Sequence, residues 1–228
     1  MDPLILLDQA VAQEKVPRAM AKKVRLRMKY VQGAVQRVEK ASGLRYPPYY
    51  IEPTLPLSKG GGEYGRTGVM FARVIPTTVT GSLVILVQFT AALVALGTKG
   101  TIEAVAAHEF THYVDLVRRL SSTNVINDVQ ATSLYEASFA DMERTVAPKL
   151  LFSERSLVGL VTKKFKDGLS DKTLNQKVDE AWISKDLPVR WIVPEENVVR
   201  LGMGVVAASK FDPAVLSKVA RIQEKMND

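Results

Sequence analysis

Apolar residues recur at every third or fourth position through Val16, Met20, Val24, Met28, Val31, Val35 and Val38. That spacing matches the helical turn and predicts an amphipathic helix from about Pro17 to Lys40, closed by Ser42-Gly43. The period then changes. Tyr46-Pro47-Pro48-Tyr49-Tyr50-Ile51-Glu52-Pro53-Thr54 reads as an extended, proline-punctuated edge strand. Gly68 to Ile75 and Ser82 to Gln88 are further β-rich runs, and Phe89 to Leu96 suits either a continued strand or a helix. A helical pattern begins at Thr101, the expected N-cap, with Glu103 near the positive end of the helix dipole. After the polar connection Ser121-Ser122-Thr123-Asn124, a second helix is expected from about Asp128 to Ala147, stopped by Pro148. The tail carries helices near 154–166, 171–183, 195–208 and 212–226, with an extended segment from Leu187 to Pro194 between them. Trp182 and Trp191 read as core residues.

The pattern is that of an α+β chain in three stretches: an N-terminal basic amphipathic helical segment (1–43), a core of small sheet and helices (44–150) and a mostly helical C-terminal region (151–228). Composition changes this little. The chain of 228 residues is 46% hydrophobic and 24% charged, ordinary values for a globular protein. The absence of cysteine removes disulfides, zinc ribbons and thiol catalysis together. The first residues lack the basic n-region of a secretory signal, and the longest apolar stretch, Leu83 to Leu96, is broken by Gln88 and Thr90 and too short to span a bilayer. A soluble, cytoplasmic protein with no membrane partner is expected. Gly60, Gly62 and Gly65 spell G-x-G-x-x-G, but a strand-like run follows where a dinucleotide fingerprint needs a helix.

Charge raises one alternative. The net charge is +7, concentrated in Lys22-Lys23-Val24-Arg25-Leu26-Arg27-Met28-Lys29 on the outer face of the first helix. A charge run of this kind is most simply a solvated face. It could also bind nucleic acid or an acidic partner, although no aromatics interleave it for base stacking.

Candidate chemistry changes the picture most. The chain has two histidines, and both lie in His108-Glu109-Phe110-Thr111-His112. At helical spacing i and i+4, the two Cβ atoms are about 5–6 Å apart on one face, so two imidazoles can share a metal ion. On the same wheel Asp115 joins the histidine face, while Ile102, Val105, Ala106, Tyr113, Leu116 and Leu120 fill the neighbouring one, so the helix is expected to be largely buried. Zinc is the expected metal, since imidazole and carboxylate ligands suit it. With histidine and cysteine exhausted, a third ligand must be an oxygen donor. Glu136 on the following helix, flanked by Thr132, Ser133 and Ala140, is the candidate, and Glu143 its rival.

His108-Glu109-Phe110-Thr111-His112-Tyr113-Val114-Asp115 together with Glu136-Ala137-Ser138-Phe139-Ala140 resembles the gluzincin group of zinc metallopeptidases. The resemblance covers about residues 100–147 and implies a zincin-like fold. In such a fold a small twisted sheet packs beside the active-site helix, and its edge strand pairs with extended substrate. It implies a zinc metalloendopeptidase with Zn2+ on His108, His112 and Glu136, and Glu109 as general base on a zinc-bound water. Peptide or protein substrates follow. Relatives of the thermolysin type carry an aspartate four residues after the ligand glutamate. Here position 140 is alanine and the aspartate is Asp141, which leaves Asp115 as a substitute for orienting an imidazole. With no distal histidine, the oxyanion would fall to Tyr135, Tyr64 or an arginine. The alternative is a catalytically inactive or latent zincin-fold binding protein acting through the basic helix. Latency would come from the N-terminal helix or the helical tail covering the cleft.

Overall fold

The structure is a computed structural model that describes residues 2–59, 67–122, 145–166, 168–192 and 203–227. It is a mixed fold of helices around two small sheets. The chain opens with helix α1 (Ile5–Ala12), which periodicity alone does not announce, and α2 (Arg18–Ser42). Helix α2 buries Ala21, Val24, Met28, Val31, Ala34, Val35 and Val38, the stripe its sequence predicts. Gly43 ends it in the left-handed region, at φ 72°, and its N–H returns to the Glu39 carbonyl. A residue with a Cβ would be strained there.

Strands β1 (Tyr49–Glu52), β2 (Leu55–Lys59), β3 (Thr67–Val69), β4 (Ala72–Val79) and β5 (Ser82–Thr90) follow. The run from Gly68 to Ile75, expected as one strand, is two. Met70 and Phe71 separate them, with the Met70 N–H donating to the Pro56 carbonyl and the Phe71 carbonyl accepting from Thr90. The chain thereby passes from one sheet to the other. Sheet one has the order β1-β5-β4, with β1 parallel and β4 antiparallel to β5. Ile51, Val87, Phe89 and Val74 lie on its inner face and are almost wholly buried. Sheet two has the order β3-β2-β6, where β6 is Val189–Ile192.

Strand β5 runs through Thr90, and the chain then turns helical. The Thr90 hydroxyl accepts the Leu93 N–H at 3.2 Å and caps α3 (Ala91–Leu96). The motif helix, α4 (Lys99–Ser122), starts earlier than expected. Thr98, not Thr101, provides the capping oxygen, accepting the Thr101 N–H at 3.0 Å. Thr101 lies inside the first turn, and its own hydroxyl donates to Asp171 at 2.5 Å.

Beyond α4 come α5 (Pro148–Leu151), α6 (Arg155–Lys164), α7 (Lys172–Ala181), a 3-10 turn (Ile183–Lys185), β6, α8 (Met203–Ala207) and α9 (Pro213–Asn227). Pro148 occupies the first position of α5, where a missing N–H costs nothing. The helix expected over 128–147 and the loop 60–66 lie outside the described residues. Trp182 is fully buried and its indole N–H donates to the Pro188 carbonyl, whereas Trp191 is 47% exposed. Strand alternation explains the second case: Val189 and Trp191 face outward on β6 and Ile192 faces inward. Among the described residues, no helix is long and apolar enough to cross a membrane. Buried side chains from all three stretches of the chain join one contiguous core.

Candidate metal centre

Helix α4 is buried along almost its whole length. Every residue from Thr101 to Thr111 is buried, including Glu103, His108 and Glu109. Around the two histidines the packing opens into a cavity of about 480 Å³. Its floor is α4, through Val105, His108, Glu109, His112, Asp115 and Leu116. One wall is the chain from Gly68 to Val74, the end of β3, the crossing at Met70 and Phe71 and the start of β4, and the other is Phe165, Gly168 and Leu169 after α6. Consecutive strand residues point to opposite faces. Ala72, Arg73 and Val74 are consecutive residues of β4 and all line the cavity, so it meets the edge of that strand rather than one face alone. Among the described residues β4 pairs only with β5, so its other edge has no strand partner among them.

The two imidazoles meet as the spacing predicts. Their Nε2 atoms are 3.1 Å apart, with the ring planes nearly perpendicular at 89°. Two nitrogen ligands at about 2.0–2.1 Å from a tetrahedral metal would be roughly 3.3 Å apart, so a metal ion fits this pair with little adjustment. Burial pushes His108 down to about 3, helped by the charge of His112. Burial also pushes His112 down to about 4, with Asp115 opposing and Arg119 assisting. Both rings are neutral at neutral pH, the form that offers lone pairs to a metal. His108 is held from its other side by Phe165, stacked face to face at 3.7 Å with 8° between planes.

Glu109 lies beside them. It makes no hydrogen bond or ion pair with any described residue, and burial alone pushes its carboxyl up to about 8. Tyr46 supports the helix behind it. Its ring stacks on Phe110 at 5.3 Å, its hydroxyl donates to the Ala106 carbonyl at 2.9 Å, and burial, then the charge of Glu109, raises its pKa well above the usual phenol range.

Asp115 does not orient an imidazole by hydrogen bonding. Its carboxylate accepts from Arg118 at 2.8 and 3.0 Å and pairs with Arg119 at 2.7 Å, so it acts on His112 through charge alone. Among the described residues, no third His, Asp or Glu joins the pair in a metal-binding group. Glu136 and its rival Glu143 lie outside the described residues, as do Asp141, Tyr64 and Tyr135. Of the candidates for the oxyanion, an arginine is present: Arg73 lines the cavity from β4.

The sequence gives no direct signal for Phe165 or Tyr46, because both act through contacts distant along the chain. Gly168 leaves a faint trace. It adopts φ 89°, and the turn it allows brings Phe165 and Leu169 into a bridge. The helical tail therefore builds a wall of the cavity, while the N-terminal helix α2 contributes no lining residue.

The basic face of α2 is partly committed elsewhere. Arg25 pairs with Asp8, Arg27 donates to the carbonyls of Val94 and Gly97, and Arg37 bridges Glu103 and Glu154. Lys22, Lys23 and Lys29 remain exposed.

No protein-family model, no curated protein and no solved structure matches this chain.

Proposed function

We propose that the protein is a zinc-dependent metallopeptidase of gluzincin type. One observation carries this reading: two neutral imidazoles with Nε2 atoms 3.1 Å apart share a cavity with a buried carboxyl group that has no partner among the described residues, beside an edge strand. A sheet edge running along an H-E-x-x-H helix supports a zincin-like arrangement. His108 and His112 would hold the metal, with Glu136 as third ligand. Zinc bound there supplies Lewis acidity, polarising a carbonyl and making water a stronger acid.

The rest of the chemistry belongs to the chain. Glu109 takes a proton from the attacking water and returns it to the leaving amine nitrogen, which balances proton uptake and release over the cycle. No described residue hydrogen-bonds to its carboxyl oxygens, which supports this role. The edge strand β4 would hold an extended peptide through main-chain hydrogen bonds, favouring main-chain contacts over strict side-chain selection. Phe165 fixes the His108 ring, and Tyr46 fixes the helix that carries Glu109.

The test is hydrolysis of a diverse peptide library by zinc-loaded protein, beside Glu109→Gln at equal zinc content. Loss of cleavage by at least roughly 10³-fold with zinc retained is expected, as for removal of a general base with its charge. A wild-type protein that binds zinc and cleaves nothing would overturn the enzymatic reading. In that case binding through the exposed lysines of α2 becomes the alternative, and steeply salt-dependent affinity for nucleic acid would support it.

A further inference from the structure

A second cavity, of about 300 Å³, lies between helices α2, α3 and α7, and its described lining residues are all distinct from those of the metal centre. Its floor is small and apolar, made by Ala95 and Leu96 at the end of α3 and Ala181 at the end of α7. Its rim is charged, with Lys23 and Arg27 from α2 and Lys177 and Glu180 from α7. Among the described lining residues, three cations thus face one carboxylate. Lys23 and Arg27 stand four positions apart on one helix, where like charges repel. Lys177 and Glu180 stand three apart and could pair, yet Glu180 accepts from Gln176 at 2.8 Å instead. Both lysines are exposed, and no described residue pairs with either.

Arg27 is the fixed member of the group. Its Nε donates to the Val94 carbonyl at 2.7 Å, one terminal nitrogen donates to the Gly97 carbonyl, and its guanidinium carbon lies 4.9 Å from the centre of the Tyr30 ring. Those two bonds use one side of the planar fork. Of the five N–H donors of an arginine, three remain at its end. Capping the last carbonyls of α3 explains the two bonds. It does not explain two unpaired lysines set around the same guanidinium.

A cavity with two more cations than carboxylates matches a doubly charged anion. A phosphate monoester carries about −1.5 to −2 near neutral pH, and arginine and lysine bind it as a fork and as point charges. A single carboxylate would leave positive charge uncompensated. The volume lies at the small end for ligand sites, which suits a small phosphorylated molecule rather than a polymer.

We propose that this cavity binds a phosphomonoester, with Arg27 as fixed anchor, Lys23 and Lys177 closing on the phosphate oxygens, and Glu180 accepting from a ligand hydroxyl. The phosphate belongs to a small soluble ester or to a phosphorylated lipid headgroup. The site stands whether or not the metal centre is a peptidase.

Isothermal titration of the full-length protein at about pH 8, where phosphate is doubly charged, tests this with inorganic phosphate, glycerol phosphate and malonate in turn. Saturable binding of both phosphates is expected. Glycerol phosphate should show a Kd below about 1 mM and bind several-fold tighter than inorganic phosphate, the scale of one added hydrogen bond. Arg27 is left intact because it also caps α3. Combining Lys23→Gln with Lys177→Gln should weaken both phosphates by at least about tenfold without shifting the unfolding midpoint, since both side chains are exposed. Glu180→Ala should abolish the preference for the ester over inorganic phosphate. Malonate binding as tightly as the phosphates, a lack of saturable binding, or affinity unchanged in the double lysine variant overturns the inference. Vesicles of phosphatidylcholine with phosphatidate separate the two sources. Co-sedimentation displaced by glycerol phosphate assigns a lipid headgroup, and no co-sedimentation assigns a soluble ester.

Discussion

Helix α4 buries two glutamates six positions apart, and their surroundings could hardly differ more. Glu103 faces α2, where Arg37 reaches it at 2.5 Å and Lys99 at 3.7 Å, and the same guanidinium binds Glu154 and Ser156. Glu109 faces the cavity with no partner among the described residues. The first carboxylate joins three helices, α2, α4 and α6. The second joins nothing among the described residues, and burial raises it to about 8. A buried, unpaired carboxyl is costly, so a fold that pairs one so thoroughly and leaves the other bare separates a structural group from a chemical one.

Removing the partner at the first site should have the largest effect on stability. Arg37→Met leaves Glu103 buried without its arginine and Glu154 unpaired, and is expected to cost about 2 kcal/mol. That lies below the range for a fully buried pair, because Arg37 and Glu154 are partly exposed. Glu109→Gln should leave the unfolding midpoint unchanged or raise it. Urea unfolding of the two variants under the same conditions checks both, and the contrast breaks if Glu109→Gln is the less stable protein.

A smaller effect is expected at the metal pair. Phe165→Ala removes the ring stacked on His108 and should weaken zinc binding by roughly tenfold, as other groups that orient a metal-bound histidine do. Competition with a chromophoric chelator measures it. Unaltered affinity would mean that the His108 ring is positioned by the backbone alone.

The smallest effect concerns acid. Hydrogen bonds from Arg37 and then Ser156 hold Glu154 down to about 2, against 4.5 for the free group. Its folded-state pKa is depressed, so the stability it contributes is present above about pH 4.5 and is lost as pH falls toward 2. Because Glu154 is partly exposed, solvent screening keeps this contribution small. Urea midpoints between pH 5 and 2 should fall less steeply in Glu154→Gln than in the wild type.

What was legible in the sequence was local. The apolar stripe of α2 with its terminal Gly43, the β-rich runs of β4 and β5, and the meeting of His108 and His112 all follow from one-dimensional periodicity. Sequence alone misplaces the N-cap of α4, because Thr98 and Thr101 stand one turn apart, each able to cap, and their hydroxyls approach to 2.7 Å. Strand β6 is legible as an extended segment, but which face of it meets the core depends on its pairing with β2, so Trp191 reads as a core residue and lies outward. The Arg37 bridge and the stacking of Phe165 on His108 join residues more than fifty positions apart, and no local pattern encodes them.

The bond from Thr101 to Asp171 spans 70 positions, and the same carboxylate accepts from Lys164 at 2.7 Å and caps α7 through the Leu174 N–H at 3.0 Å. One aspartate therefore fastens the chain on both sides of Phe165 to the first turn of the motif helix. Closing so long a loop carries an entropic cost that the i, i+4 spacing of two histidines on one helix never meets. Loop-closure entropy predicts that the histidine pair forms with its helix before the wall does. A chain emerging in sequence can thus present a metal-binding pair before it has a chamber, and Asp171 is the latch that turns the one into the other.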